Sequence, residues 1–546
     1  MARSQQYYEG ASENTSTTSK HSYKTSSTAS IEEDIMPGET SPLLAHDGHR
    51  PATAHFPRRR TLRSPHSIMA VVLLAVFLTC CGDQFVDSPE TRIFESVICY
   101  RYYEKVDPSK IKLGRDVVGP GAIGGVDEMW CKADAVQDQL AVVNGYQSFF
   151  DGWPALILAL PFGWAADRFG RWPFLFINLV QFALKNMWRQ FVTWDWQAFD
   201  IRAIWGASGF AILGGGSATA SAMFFVLVSD VLPAEERAGA FLRLGASNLA
   251  PSLFIPPLAA WLMTINPWIP YLIGTLMLVL AAVLCLFIPE TLGYGRRDHG
   301  ETAELPPSEE TVPESSRPES AAVRYWNGFR SSISFLTEDW RIPALIIPFV
   351  VHILISNLTR LILQYSSKRY GLTIAQGTLL ITLHNGIHVL LLFALLPYLS
   401  TFVMKRFNLC NQKKDLYLTR VSHVFMAIGW LCVAASPNVW TVAISLSVAS
   451  LGVGSALLMR SFLTSLLPAH HIARTYSAIG IVDTLGAMFG TPALAGLFKD
   501  GLSLGGGWVG LPFYVIGLAS ALFAGLLFLV KLRKSGGSEQ NDRDEE

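Results

Sequence analysis

Long apolar runs separated by short polar turns cover most of this chain. They fall at about 67–86, 140–162, 172–192, 199–231, 238–265, 269–288, 342–363, 374–402, 416–435, 439–467, 476–498 and 512–532. A helix rises 1.5 Å per residue, so about 20 residues cross roughly 30 Å of hydrocarbon, and each run is long enough. The pattern predicts an all-α polytopic membrane protein of twelve transmembrane helices. Between the sixth and seventh runs, residues 293–340 are rich in Glu, Pro and Ser, the composition of a flexible linker. It divides the chain into two six-helix halves, 64–292 and 341–534. Residues 1–63 are rich in Ser, Thr, Glu and His and too poor in apolar side chains to offset their ordering entropy, so a disordered cytosolic tail is expected there. Residues 535–546 form a short second tail.

Composition agrees. Of 546 residues, 50% are hydrophobic and 16% charged, against about 25% charged in soluble domains; mean hydropathy is +0.32. A net charge of +0 gives no global field that would draw nucleic acid. The start, MARSQQYYEG, has no short apolar core with a small-residue cleavage site, so the first span is expected to act as its own signal. Arg58, Arg59, Arg60, Arg168, Arg171, Arg237, Lys405, Arg406, Lys413, Lys414, Lys531, Arg533 and Lys534 all fall on one side if both termini are cytosolic, with Lys368 and Arg369 as exceptions. Trp194, Trp196 and Trp268 then lie at the outer interface. Residues 88–138 become an external loop, and Cys99 and Cys131 in it are the two of seven cysteines placed for a disulfide. The other five read as small apolar residues, and no metal-ligand spacing is found.

The turn between the second and third runs is Gly163-Trp164-Ala165-Ala166-Asp167-Arg168-Phe169-Gly170-Arg171. Gly163 and Gly170 permit positive φ where the chain reverses. The spacing Gly-x-x-x-Asp-Arg-x-Gly-Arg resembles the signature between helices 2 and 3 of the major facilitator superfamily. That resemblance implies the major facilitator fold, with substrate bound near the midplane between two halves. It also implies that Asp167 is a latch drawn to the positive start of helix 11 on the cytosolic side. Asp230-Val231-Leu232-Pro233-Ala234-Glu235-Glu236-Arg237 resembles the family's loop between helices 4 and 5, with Asp230 and Arg237 in its charged positions. Pro289-Glu290-Thr291 is a weaker likeness after helix 6. The helix-5 antiporter signature is not met, because Gly245, Pro251, Pro256 and Pro257 are spaced differently. Gln364-Tyr365-Ser366-Ser367-Lys368-Arg369-Tyr370 and Gly214-Gly215-Gly216 look like a fungal branch of the family, which names no substrate.

An ionisable side chain in hydrocarbon costs several kcal/mol, so each one inside a run is a candidate functional group. Asn144, Gln147 and Asp151 fall on one helical face, with Asp151 deep enough to load and release a proton; the alternative is a structural carboxylate. Asp83 sits near the outer end of the first run. Asp483 lies in the eleventh, just before Gly486 and Gly490, whose spacing favours close helix packing. Arg202 partly resembles the family's helix-4 arginine, but little apolar sequence precedes it, and snorkelling to the outer surface is the stronger reading. Snorkelling also accounts for Lys185, Arg189 and Arg460. Asn357, Arg360 and Gln364 share a face of the seventh run. His384 and His388 share a face of the eighth, where polar lining is favoured over a metal pair without a third ligand.

These readings converge on a secondary active transporter that moves a small organic solute by alternating access, driven by protons, with efflux favoured over uptake. Solute uptake, vacuolar transport and a transporter-like solute sensor are the alternatives. There is no Gly-x-x-x-x-Gly-Lys-Ser/Thr for ATP, and only the histidine pair hints at enzyme chemistry, so neither an enzyme, a cofactor nor a metal is expected. The expected partners are the small-molecule substrate, protons and the lipid bilayer, around a monomer. The plasma membrane is the expected location. In the tail, Glu39-Thr40-Ser41-Pro42-Leu43-Leu44 resembles the acidic dileucine sorting signal, carried by Glu39, Leu43 and Leu44, which would direct the chain to endosomes or the vacuole; such short patterns also arise by chance.

Overall fold

Runs of this length fold as helices because only a helix satisfies its own backbone polar groups in hydrocarbon. The computed structural model describes residues 64–111, 125–291, 345–407, 411–466 and 469–529, without the side chains of 159, 160, 164, 167, 218, 234, 235, 238, 411 and 464–478. The tails, the linker and the sorting pattern at Glu39, Leu43 and Leu44 lie outside the described residues. Among the described residues, ten spans are long and apolar enough to cross a membrane: α1 Pro65–Val106, α4 Ile201–Val231, α5 Gly239–Ile265, α6 Trp268–Cys285, α7 Pro348–Tyr370, α8 Ile374–Phe407, α9 Gln412–Ala435, α10 Val439–Leu463, α11 Ile479–Leu504 and α12 Gly506–Leu529. Two more helices, α2 Asp134–Phe169 and α3 Arg171–Trp194, have 36 and 24 residues and are long enough to cross, though they are not among those ten. Together they fit the twelve-helix pattern.

Packing repeats with a shift of six. In the first half α1 packs along α5 and α6, and in the second α7 packs along α11 and α12. Between the halves α2 lies along α11, and α5 along α8. Adding six to each number turns one of these interfaces into the other, as two parallel repeats facing each other require. Successive helices alternate in direction, so one end of the bundle collects Arg168, Arg171, Lys405 and Arg406, and the other collects the Cys99–Cys131 disulfide. These are called the basic end and the disulfide end.

Three local features differ from expectation. First, α1 does not stop near residue 86. It runs 42 residues, about 63 Å at helical rise, so the expected external loop begins as helix and buries Glu90, Arg92 and Glu95. Second, the glycines of α4 interrupt the single helix expected over 199–231. Residues Ile201–Phe210 wind as a 3-10 helix, and Gly215 and Gly216 take φ of 78° and 82°. The freed carbonyls of Gly214 and Gly216 accept from the Asn178 amide of α3. By contrast, Gly486 and Gly490 do serve packing: a Cβ there would come within 2.7 Å of Ile353 and 2.0 Å of Leu354 on α7.

Third, the turn after α2 is shorter than the motif. The helix passes through Gly163 and continues to Phe169, and Gly170 alone reverses the chain at φ 112°. Gly163 is therefore a helical residue, because hydrogen bonding along α2 continues past it. The Glu290 carboxylate accepts from the backbone N–H of Arg171 at 2.8 Å and of Trp172 at 3.2 Å. These are first-turn donors with no partner inside α3, and the positive helix start favours the anion. A Cβ on Gly170 would lie 2.4 Å from Glu290 Oε2, whereas no described atom lies within 4 Å of one on Gly163. Gly170→Ala is thus expected to lower the apparent unfolding temperature in detergent, by a strain of about 1–3 kcal/mol. Gly163→Ala should leave it unchanged, and equal effects would contradict this assignment.

Candidate transport site

Charged side chains from four helices meet inside the bundle. On α1, Asp83, Asp87 and Glu90 recur at i, i+4 and i+7, which puts them on one face. On α3, Lys185 and Arg189 are one turn apart. Arg189 pairs with Glu90 at 2.6 Å and Lys185 pairs with Asp151 of α2. Asp151 also accepts from Ser208 Oγ at 2.6 Å and Gln147 Nε2 at 3.1 Å. From the second half, Arg360 of α7 reaches Asp87, Nε to Oδ1 2.7 Å. Asp83 makes no ion pair with a described residue, is exposed to the interior space, and lies within electrostatic reach of Lys185, Arg189 and Arg360.

The snorkelling assigned to Lys185 and Arg189 is corrected by these contacts, since each spends its charge on a carboxylate inside the bundle. Arg460 is corrected likewise: it pairs with Asp483 at 3.5 Å. Of the expected polar face, Gln147 and Asp151 bond to one another, while Asn144 instead lines a small cavity with Asn357, Arg360 and Gln364. Arg202 stays apart, exposed at the disulfide end of α4, with its backbone N–H on Asp200 at 2.9 Å. His384 is buried against Ser450, Oγ to Nδ1 2.6 Å, and His388 is half-buried. At the basic end Asp230 pairs with Arg171 at 3.2 Å, and Arg237 Nε donates to the Leu232 carbonyl at 3.0 Å. Arg168 lies over the Phe169 ring at 5.8 Å. The side chain of Asp167 lies outside what is described, as do those of 469–478, the helical residues that precede α11.

A two-repeat helical bundle with charges between its halves narrows the fold, and comparison with known proteins decides it. The family model described as Major Facilitator Superfamily matches residues 144–491. The chain belongs to the major facilitator superfamily. Among its relatives, the MFS efflux pump atnC of Emericella nidulans is 31% identical over 504 residues, 91% of this chain and 93% of the relative. The efflux pump ustT of Aspergillus flavus is 31% identical over 453 residues, 81% and 84% of the two chains. Among solved structures, a D-xylose-proton symporter aligns with a TM-score of 0.53 at 14% identity, over 85% of this chain and 98% of that one. That likeness concerns the fold.

Major facilitator halves rock about a central site, so ties between them define the state. Four gather toward the disulfide end. Besides Arg360 with Asp87, Lys368 at the end of α7 pairs with Asp134 at 2.8 Å and donates to the Lys132 carbonyl at 2.7 Å. Lys499 of α11 pairs with Asp138 at 3.2 Å. Glu128 accepts from the N–H of Ile374, the first residue of α8, at 2.8 Å. Lys368, an exception to the charge rule, is therefore a tie between halves. On α2, Gly145, Gly152 and Gly163 share a face. A Cβ at the first would be 3.0 Å from Ala495 and at the second 2.9 Å from Met488, while the third meets no described atom within 4 Å. The α2 and α11 helices thus pack closely at the levels of Gly145 and Gly152, toward the disulfide end.

Sequence reasoning missed Asp87, Glu90, Ser208 and Glu128, and noted Glu290 only as a weak family likeness without its role at the start of α3. The first two had a legible signal, the recurrence of acids from Asp83, hidden by ending the run at residue 86. Glu128 is braced on three sides: Arg92 at 3.1 Å, Lys132 at 3.2 Å, and the disulfide, whose Cys131 N–H donates to the Glu128 carbonyl at 3.1 Å. Burial pushes its carboxyl up, but Arg92, Lys132 and the Ile374 N–H together outweigh it and hold the group below the usual carboxylate range. The charged acceptor, and with it the tie, persists through neutral and mildly acid pH and is lost only as pH falls below that range. A hydrogen bond to a charged group contributes about 1.5–3 kcal/mol. Glu128→Ala should therefore speed amide hydrogen exchange at Ile374 roughly ten- to a hundredfold. Unchanged exchange would show that Glu128 does not hold α8.

Proposed function

We propose that this transporter exports a small organic solute from the cytosol across the plasma membrane in exchange for protons, acting as a monomer and without enzymatic chemistry of its own. The observation that carries this reading is an imbalance of charge. Asp83, Asp87, Glu90 and Asp151 are four carboxylates against the three cations Lys185, Arg189 and Arg360. Three ion pairs form and Asp83 is left over, so one proton neutralises the cluster in a setting where a net charge is costly. The coupling role expected of Asp151 moves to Asp83, because Asp151 already holds Lys185, Ser208 and Gln147. Efflux is supported by the two relatives named as efflux pumps.

The test is reconstitution in liposomes with an imposed pH gradient and a panel of solutes. Wild-type protein should show solute-dependent proton flux. Asp83→Asn should remove that flux while solute exchange at equal concentrations continues. Asp151→Asn should instead strand Lys185 and lower stability by about 3–5 kcal/mol, the range for breaking a buried pair. Proton flux that survives in Asp83→Asn contradicts the assignment.

A further inference from the structure

Arg360 stands mid-way along α7, yet 52% of its side chain is exposed, so its guanidinium opens onto the space between the halves. Asp87 occupies only Nε. Neither Nη group has an acceptor among the described residues, which leaves the flat outer edge of the fork, the edge that matches a carboxylate with two parallel hydrogen bonds. Beside it lies a cavity of about 20 Å³ lined by Asn144 and Ser148 of α2, Asn357, Arg360 and Gln364 of α7, and Thr491 of α11. That volume admits one group of water's size. Gln364 is 1% exposed, and its Oε1 has no hydrogen-bond partner. A buried acceptor without a donor is costly, so this wall is built for a donor that arrives from outside the protein.

We infer that the exported solute carries an α-amino carboxylate, its carboxylate seated on the Nη edge of Arg360 and its ammonium in the cavity against Gln364. This rests on the exchange reading above and deepens it. The head group is a zwitterion and leaves the net charge of the cluster unchanged: its carboxylate is matched by the Arg360 fork and its ammonium by the acceptor in the cavity, while protonation of Asp83 is a separate event. Asn144 and Asn357, on opposite halves, flank the head group and place it where closure of either end is sensed.

The test uses the full-length protein in detergent and four probes with one phenyl body: L-phenylalanine, 3-phenyllactate, 3-phenylpropanoate and 2-phenylethylamine, with binding followed by calorimetry. L-phenylalanine should bind at least tenfold tighter than the propanoate or the amine, with phenyllactate between. Arg360→Lys, which keeps the charge but loses the fork, should weaken L-phenylalanine at least tenfold and leave the amine unchanged. Gln364→Leu should shrink the preference for L-phenylalanine over the propanoate severalfold, whereas a cavity that only holds water would leave that preference intact and overturn the proposal. Equal affinity for the four probes, or binding of none, overturns it too. The same protein in liposomes separates the two readings. Proton flux driven by a solute without this head group defeats the head-group assignment alone, whereas head-group selectivity without proton flux for any solute defeats coupling alone.

Discussion

Asp87 on α1 and Arg360 on α7 pair at 2.7 Å from opposite halves of the bundle, in a region where an unpaired charge costs several kcal/mol. Much of the interior follows from that constraint. Glu90 needs Arg189 and Asp151 needs Lys185, so α1 and α2 are each held to α3, while Arg360 draws α7 against α1. A buried ion pair adds little stability over an apolar one, but breaking one partner away is expensive. Such pairs therefore act as specifiers: they fix which helices meet and at what height. They also make the cluster responsive, because a proton or a bound cationic group changes which pairs are needed.

The disulfide end shows how this centre is coupled to a gate. Glu128, Lys368 and Lys499 also reach across the halves: the Lys368 and Lys499 pairs are open to water, which can replace them at small cost, while Glu128 holds the Ile374 N–H more firmly. The segment that carries Glu128 is fixed by the disulfide on one side and by the start of α2 on the other, so it moves with the first half. Opening this end requires exchanging the lysine pairs for water, releasing Ile374 from Glu128, and giving Asp87 and Arg360 new partners. At the basic end, Gly170, Arg171, Asp230 and Glu290 bind α3, α4 and the segment after α6 to one another within the first half, a contact set suited to a half that moves as one body.

Much of this was legible in the sequence, and the reasons for the rest are specific. Apolar run length revealed the spans, and the antiparallel order of basic turns separated the two ends, because both depend on the solvent and hardly on tertiary detail. The motif at Gly170 and Arg171 was readable since only glycine tolerates both positive φ and a carboxylate 2.4 Å from where a Cβ would be. Ion-pair partners were not readable. Lys185 and Arg189 look the same in sequence whether they snorkel or pair, and only the position of α3 beside α1 and α2 decides it. Pro89 and the charges after it read as a loop, yet α1 continues through them because Arg92, Glu95, Glu128 and Lys132 neutralise one another. Glycines misled in both directions, with Gly163 lying in helix and Gly215 breaking one.

The central claim is that charge pairing across the halves governs this protein, and a double-mutant cycle at Asp87 and Arg360 tests it most directly. Unfolding free energy would be measured for wild type, Asp87→Asn, Arg360→Gln and the double variant. Contacting charges give interaction energies of about 0.5–3 kcal/mol, and this account predicts a value of at least about 1 kcal/mol, with the double variant more stable than the two single losses added together. Strict additivity would mean that the pair holds nothing, and would contradict the account.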